Sequence, residues 1–82
     1  MYEIILSDKS KSQLEKLDVE TRNRIGIVFE RIKIRPEHFV TRLVGSPYFK
    51  LRVGDYRIIL DVLNDKLIIF VIEVGHRKNI YK

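Results

Sequence analysis

The chain has 82 residues and a formal net charge of +5, with 45% hydrophobic and 33% charged residues. This length and composition predict one folded domain over residues 1–82 and exclude a disordered chain, while the lack of cysteine excludes a disulfide framework and a thiolate metal site. The basic balance favours a polyanion such as nucleic acid as partner, and because the N-terminal apolar stretch is too short for a signal peptide we expect a cytoplasmic protein.

A strand and a short helix are predicted at the N-terminus. The run Tyr2–Leu6 (YEIIL) is rich in β-branched residues, which is typical of a strand. Ser7 or Asp8 can cap the following helix. That helix has only Leu14 and Leu17 as an apolar pair, so we expect it to bury a narrow stripe.

A second helix is predicted from Val19 to Arg35. Asp18 marks its start, and Pro36 ends it because proline lacks the amide hydrogen that a helix needs. Its apolar residues recur at i, i+3, i+4 and i+7: Ile25, Val28, Phe29 and Ile32. The segment Pro36–Pro47 then reads as a loop with a turn.

A basic line follows one flank of this helix. Arg24, Arg31 and Arg35 are spaced i, i+7 and i+11, so they lie along the helix surface. The line is either a solvated face or a set of contacts to phosphate groups.

The stretch YFKLRVGDYRIIL predicts a β-hairpin with a type II′ turn at Gly54 and Asp55. The predicted pairs are Val53 with Tyr56, Arg52 with Arg57, Leu51 with Ile58, Lys50 with Ile59 and Phe49 with Leu60. The face towards the core then carries Phe49, Leu51, Val53, Tyr56, Ile58 and Leu60. The opposite face carries Lys50, Arg52 and Arg57. Two arginines directly across a strand pair repel each other, and such a pair is suited to holding an anion.

A third strand of an antiparallel meander is predicted over Lys66–Val74, after a tight turn at Asn64 and Asp65. The predicted pairs are Leu60 with Ile69, Ile58 with Val71 and Tyr56 with Glu73. Ile59, Phe70, Ile72 and Val74 then lie on the outer face. An exposed apolar patch of this kind marks a partner site, unless tail residues such as Ile80 and Tyr81 cover it.

Gly75 is predicted to break the third strand and to release the tail near the end of the sheet. The tail carries His76, Arg77, Lys78 and Tyr81. The sequence has no useful carboxylate pair, histidine cluster, phosphate loop or Ser/His/Asp arrangement, so we expect neither a metal nor a cofactor. Cationic groups with a phenol instead suit attack of an RNA 2′-hydroxyl on its own phosphodiester, because they stabilise the charged transition state.

The string KLRVGDYRIIL, the strand ending VIEVGHR and the closing Tyr81 resemble the RelE branch of the RelE/ParE toxin superfamily over essentially the whole chain. The resemblance implies an α+β fold with an N-terminal strand and a two-helix hairpin packed on one face of an antiparallel sheet of about four strands. It also implies a type II toxin that cleaves mRNA in the ribosomal A site without a metal. A RelB-like antitoxin wrapped over the toxin would hold it inactive.

The resemblance, together with the basic line and the apolar patch, gives candidate roles to individual residues. The catalytic candidates are Lys50, Arg52, Arg57, Arg77 and Tyr81, with Arg77 and Tyr81 preferred as the pair for proton donation and transition-state stabilisation. The candidates for RNA or ribosome binding are Arg24, Arg31, Arg35, Tyr48, His76 and Lys78. Ile59, Phe70 and Ile72, or the grooves beside the helices, are the candidates for antitoxin binding.

The sequence departs from well-known bacterial members at two places. Tyr48 stands where those members carry a lysine, which removes one candidate proton acceptor, and the C-terminal helix of those members has no counterpart. Two other functions remain open: a ParE-like toxin that inhibits DNA gyrase without catalysis, and a basic RNA-binding module that cleaves nothing.

Overall fold

The computed structural model describes residues 1–76. It contains β1 (Glu3–Leu6), α1 (Asp8–Glu15), α2 (Val19–Ile32), a 3₁₀ turn (Pro36–His38), β2 (Val40–Arg42), β3 (Phe49–Val53), β4 (Tyr56–Leu63) and β5 (Ile68–His76). The strands form one sheet in the order β1-β5-β4-β3-β2, in which β1 is parallel to β5 and the other pairs are antiparallel. The α+β class is confirmed. The sheet is mixed and has five strands.

Both helices begin at the predicted caps. The Ser7 hydroxyl oxygen accepts a hydrogen bond from the Ser10 amide at 3.0 Å, and an Asp18 carboxylate oxygen accepts one from the Thr21 amide at 3.2 Å. The hydrogen bonds from Thr21, first its side chain and then its backbone, lower the pKa of Asp18. At each helix start, the side chain that accepts a hydrogen bond from a free backbone amide therefore lies three residues before that amide.

The second helix ends at Ile32, three residues before the predicted end at Arg35. Arg35 has φ −143° and ψ 79°, which is not helical. The cause is Pro36, whose ring disfavours the helical conformation in the residue before it. The prediction placed the boundary too close to the proline.

The core lies between α2 and one face of the sheet. Helix α2 contributes Ile25, Phe29 and Ile32, and the sheet contributes Leu51, Val53, Ile58, Leu60, Ile69, Val71 and Val74. Val28 is only partly buried at the margin. The helical period of the sequence and the alternation of the strands thus meet in one apolar layer, as expected for a helix packed on a sheet.

The predicted hairpin is confirmed in every pair. Strands β3 and β4 pair Phe49 with Leu60, Lys50 with Ile59, Leu51 with Ile58, Arg52 with Arg57 and Val53 with Tyr56. Gly54 has a φ of 58° and Asp55 does not have a positive φ, which fits a type II′ turn. A residue with a Cβ at position 54 would be strained.

The second predicted turn is wrong. The chain turns over four residues, Asn64 to Leu67, and β5 begins at Ile68 rather than Lys66. Leu63 then pairs with Ile68 and Leu60 with Val71, a shift of two residues from the predicted register. A shift of two keeps each side chain on its predicted face, because strand side chains alternate with period two.

A β-bulge changes the pairing register of the second half of β5. The register shifts between Ile59 and Leu60, so that Ile59 pairs with Glu73 and Ile58 with Val74. Val74 is only 2% exposed and belongs to the core, whereas the sequence placed it on the outer face. The extra residue of the bulge moves every later side chain of β5 to the other face.

Two further predictions fail in the same part of the fold. Gly75 does not break β5, which continues to His76 and pairs Gly75 with Arg57. The loop predicted over Pro36–Pro47 contains β2, which pairs with β3 at the sheet edge. The three residues of β2 are too few for alternation to be recognised in the sequence.

We expect the exchange of Leu67 for glycine to stabilise the protein. Leu67 has a φ of 53° and is about half exposed. A leucine in this left-handed conformation costs about 1–2 kcal/mol, which glycine does not pay. The loss of the Leu67 side-chain contacts offsets part of this gain. We therefore expect the free energy of unfolding to rise by up to about 1 kcal/mol, as measured by urea denaturation. A loss of stability would mean that the Leu67 side chain packs better than its exposure indicates.

Candidate functional site

Strands β3 and β4 bring three cationic side chains to the outer face of the sheet, the face opposite the core. Lys50 and Arg52 lie two residues apart on β3, and Arg57 lies directly across from Arg52 on β4. We call these three residues the basic face. The hairpin register produces the basic face, because every second side chain on each strand points away from the core.

The three side chains of the basic face differ in burial. Arg52 is exposed and Lys50 is half-buried, but Arg57 is only 5% exposed. The sequence predicts a charged open face, so the burial of Arg57 is a correction. A guanidinium removed from water interacts more strongly with a nearby anion than a fully solvated one does. On its other side Arg57 pairs with Gly75, which adds no side chain to the face.

Arg24 reaches the tip of the same hairpin. Its Nη1 atom lies 3.2 Å from the position that a Cβ atom on Gly54 would occupy. Its Nη2 atom is 3.6 Å from a carboxylate oxygen of Glu20, one turn earlier on α2. This exposed ion pair contributes little to stability. Arg24 can therefore leave Glu20 and bind another anion.

The other two residues of the predicted basic line do not continue it. Arg31 is exposed near the end of α2, whereas Arg35 lies beyond the helix. The predicted spacing of i, i+7 and i+11 therefore holds only for its first step. The structure brings Arg24 to the hairpin tip and leaves no helical line through all three residues.

His76 lies on the face opposite the basic face. It pairs with Tyr56, and the two rings meet edge to face with centroids 5.5 Å apart. Tyr56 alternates with Arg57 along β4, so the bulge takes His76 away from the arginines. This position separates His76, a predicted contact to RNA or the ribosome, from the basic face. Arg77, Lys78 and Tyr81 lie outside the described residues.

Tyr48 precedes the first residue of β3 and is exposed. Its amide donates a hydrogen bond to the Ser46 hydroxyl oxygen at 3.1 Å, and its carbonyl oxygen accepts one from the Leu43 amide at 3.0 Å. These bonds fix the backbone that leads into the basic face. The phenol ring remains accessible to a ligand.

The predicted apolar patch is smaller and more polar than the sequence indicates. Ile59, Phe70 and Ile72 are half-buried. Glu73 lies opposite Ile59 and Asp61 lies opposite Phe70, while Val74 has left this face. Ile5 of β1 pairs with Phe70 from the other side and is 39% exposed. Ile5 was not predicted to belong to this patch, although the alternation in YEIIL separates it from Ile4 and Leu6.

A cleft of about 300 Å³ lies between α1 and α2. Leu6, Leu14, Ile25, Gly26 and Phe29 form its apolar part, and Lys11, Glu15 and Arg22 are the charged residues that line it. Gly26 is exposed, and a Cβ built on it has no atom within 4 Å. The cleft is therefore an apolar groove with a charged rim, which suits an amphipathic helix.

Residues 1–76 contain no group of three or more His, Asp or Glu side chains that could hold a metal ion. Within the same residues no helix is long and apolar enough to cross a membrane. The basic face can bind and polarise a phosphate group through charge-assisted hydrogen bonds.

Comparison with known proteins agrees with this geometry. The family model of the ParE toxin of the type II toxin-antitoxin system parDE matches residues 4–81. No curated protein matches the sequence at a significant level.

Solved structures share the fold. A chain of the intact E. coli RelBE toxin-antitoxin complex is 26% identical with a TM-score of 0.80, over 93% of this chain and 96% of that one. A chain of the RelB-RelE complex from Methanococcus jannaschii is 25% identical with a TM-score of 0.74, over 95% of each chain. A chain of the archaeal RelE-RelB complex from Pyrococcus horikoshii OT3 is 22% identical with a TM-score of 0.81, over 95% of this chain and 97% of that one. The chain therefore belongs to the ParE toxin family of type II toxin-antitoxin systems, within the RelE/ParE superfamily.

Proposed function

We propose that this toxin is a ribosome-dependent endoribonuclease that cleaves mRNA in the A site. The observation that carries the proposal is the basic face, in which Arg52 lies directly opposite Arg57 with Lys50 on the same side. Like charges across a strand pair cost stability. A phosphate between the two guanidinium groups removes that cost, so the arrangement fits a phosphodiester substrate.

The proposed reaction uses the RNA's own 2′-hydroxyl as nucleophile. Its oxygen forms a bond to phosphorus as the bond between phosphorus and the 5′-oxygen of the next nucleotide breaks. The 2′-hydroxyl gives up a proton and the leaving oxygen gains one, and we propose that side chains rather than a metal carry out both transfers. We assign charge stabilisation on the phosphoryl oxygens to Arg57 and Arg52, and electrostatic support to Lys50. We keep Arg77 and Tyr81 as candidates for proton transfer.

Binding of the ribosome is assigned to the cations around the hairpin. Arg24 lies at the tip of the hairpin that carries the basic face, and Tyr48 directly precedes β3 of the same hairpin. Arg31, Arg35, His76 and Lys78 remain proposed contacts to RNA, although Arg31, Arg35 and His76 lie apart from the basic face. Such contacts should make binding weaken steeply as salt rises.

A second candidate function is inhibition of DNA gyrase by contact, without catalysis. The observation in its favour is the family model, which is that of ParE toxins. Two assays together distinguish the two functions. Primer extension on programmed ribosomes detects mRNA cleavage, and a supercoiling assay detects gyrase inhibition. Cleavage in the A-site codon without an effect on supercoiling supports the nuclease, and the reverse result establishes the gyrase inhibitor.

We also propose that a RelB-like antitoxin is the protein partner. The similar E. coli, Methanococcus and Pyrococcus chains come from complexes of RelE with RelB. Two surfaces are available for an amphipathic antitoxin segment: the cleft between α1 and α2, and the patch around Ile59, Phe70 and Ile72. The cleft is the more continuous apolar surface, because Glu73 and Asp61 interrupt the patch.

A substitution at Gly26 tests the cleft. Gly26→Met places a long side chain in the groove, whereas Gly26→Ala adds one methyl group where no atom lies within 4 Å. Both changes should raise helix stability, by about 1 kcal/mol for alanine, because glycine is a poor helix former. We expect Gly26→Met to weaken binding of the co-expressed cognate antitoxin by at least about tenfold, equivalent to 1.4 kcal/mol.

The measurement is isothermal titration of each purified toxin with the antitoxin. Gly26→Ala should bind as the wild type does, which separates groove filling from the effect on the helix. Ile59→Asp is the matched variant for the patch. If Ile59→Asp weakens binding and Gly26→Met does not, the antitoxin segment lies on the outer face instead of the cleft.

A further inference from the structure

Helix α1 takes the place of a neighbouring strand along the last part of β5. Strand β1 pairs with β5 only as far as Leu6 and Val71. Beyond that point the edge of β5 would be open, and its backbone groups would need other partners. Polar residues of α1 and its N-cap, Ser7, supply them.

The contacts follow the edge in order. The Ser7 amide and the Ser10 hydroxyl both donate to the Val71 carbonyl oxygen, at 2.9 Å and 3.1 Å. The Ser7 hydroxyl donates to the Ile72 carbonyl oxygen at 2.8 Å. The Val74 amide donates to the Gln13 side-chain oxygen at 2.6 Å. Ser10 is fully buried, so this is an interior contact and not a surface one.

These contacts enclose the β-bulge. The bulge lies between the pairs Leu60 with Val71 and Ile59 with Glu73. Ser7 and Ser10 bind the residues at its start, and Gln13 binds Val74 just after it. The Nζ atom of Lys9 lies 3.3 Å from a carboxylate oxygen of Glu73, between these two points. Helix α1 therefore contacts β5 on both sides of the bulge.

The bulge decides what lies beside Arg57. With it, Arg57 pairs with Gly75 and the Val74 side chain lies in the core. If the register before the bulge simply continued, Arg57 would pair with Val74, and Glu73 would face Ile58 in the core. The cost of burying Glu73 selects the bulged register. The hydrogen bond from the Val74 amide to the Gln13 side chain then fixes the position of the strand within that register.

We infer that Gln13 is a positioning residue for the basic face: by holding the Val74 amide it fixes the bulged end of β5 against Arg57. The inference rests on the proposed function for its catalytic consequence, but its structural part does not. Ser7 and Ser10 share the task, and Gln13 is the member that acts beyond the bulge. Gln13 binds β5 at Val74, and Gly75 next to it pairs with Arg57, so the effect of Gln13 passes through Val74 and Gly75.

The test compares Gln13→Leu, which removes the acceptor, with Gln13→Glu, which keeps an acceptor oxygen at a similar reach. Asp18→Ala is the control, because it removes the cap of the other helix and lowers stability without touching β5. For each protein, hydrogen exchange of the Val74 amide is measured relative to that of Ile69, together with the nuclear Overhauser contact between the Tyr56 and His76 rings. Steady-state cleavage of mRNA, with programmed ribosomes in excess over the toxin, gives kcat and KM.

In Gln13→Leu we expect the Val74 amide to exchange at least about tenfold faster relative to Ile69, because a local opening has been made easier. The ring contact should weaken, and kcat should fall about tenfold or more with KM unchanged, since small displacements of catalytic groups cost large factors. In Gln13→Glu, the relative exchange rate of the Val74 amide and kcat should both be close to those of the wild type. Asp18→Ala should change Val74 and Ile69 alike and leave kcat unchanged.

Equal exchange changes at Val74 and Ile69 in Gln13→Leu would overturn the inference. So would faster local exchange with a kcat equal to that of the wild type. If the wild type cleaves no mRNA, the proposed function fails on its own. The exchange and ring-contact measurements then decide by themselves whether Gln13 holds the end of β5.

Discussion

Replacing Arg57 with alanine is expected to lower the rate of A-site mRNA cleavage by about 10²–10³-fold, the usual cost of removing one preorganised group that stabilises a transition-state charge. Arg57 is only 5% exposed and lies between Arg52 and Gly75 on the outer face of the sheet. A cation held in that position needs no reorganisation when negative charge develops on the phosphate. The measurement is single-turnover primer extension with saturating toxin.

The burial of Arg57 makes a second variant necessary, because truncating a buried side chain can destabilise the fold. Arg57→Lys keeps the positive charge but loses the planar fork that binds two oxygens at once. We expect its activity to lie between those of the wild type and Arg57→Ala. Lys66→Ala is the control, since it removes an exposed cation in the turn before β5.

The outcome distinguishes the candidate functions. A well-folded Arg57→Ala protein that cleaves as fast as the wild type would remove Arg57 from the proposed mechanism. If no protein of the series cleaves mRNA but the wild type and Arg57→Ala both inhibit gyrase, the non-catalytic function is correct. If all of them bind RNA with strong salt dependence and affect neither target, the chain is a basic RNA-binding module.

Replacing Leu60 with alanine is expected to cost about 2–5 kcal/mol of unfolding free energy, the range measured for buried leucines. Leu60 is fully buried on β4, between Phe49 on one side and Val71 on the other. For a domain of this size each kcal/mol lowers Tm by about 4–8 °C. A loss of this size is a large part of the roughly 5–15 kcal/mol that keeps a native domain folded, so this variant should unfold at a much lower urea concentration than the wild type.

Urea denaturation followed by circular dichroism measures the change. Val44→Ala is the matched control, because it also shortens an apolar side chain but at a fully exposed position. Its expected effect is within about 0.5 kcal/mol. Equal losses in the two variants would show that the core does not lie where α2 meets the sheet.

Much of the fold follows from contacts that are close in sequence. The helix starts at Ser7 and Asp18, and the hairpin around Gly54, depend on residues within a few positions of each other. The alternation from Phe49 to Leu60 then fixes the hairpin register, because a slip by one residue would bury Lys50 and Arg52. The basic face could for this reason be predicted before the structure was known.

The remaining features depend on contacts between distant segments. The place of β1 beside β5, the short strand β2 and the four-residue turn ending at Leu67 give only weak local signals. The burial of Arg57 depends on how the rest of the chain packs around it, which a hairpin pattern does not contain.

Local backbone preferences and strand alternation therefore set the helix starts, the hairpin and the pairing of Arg52 with Arg57, and all three can be recognised in the sequence. The bulge in β5 depends on contacts between distant segments. That bulge lies where α1 and its N-cap bind the edge of β5, at Val71, Ile72 and Val74, more than sixty residues away in the chain. It moves Val74 into the core and His76 to the face opposite the arginines, since one extra residue reverses the alternation of every side chain after it.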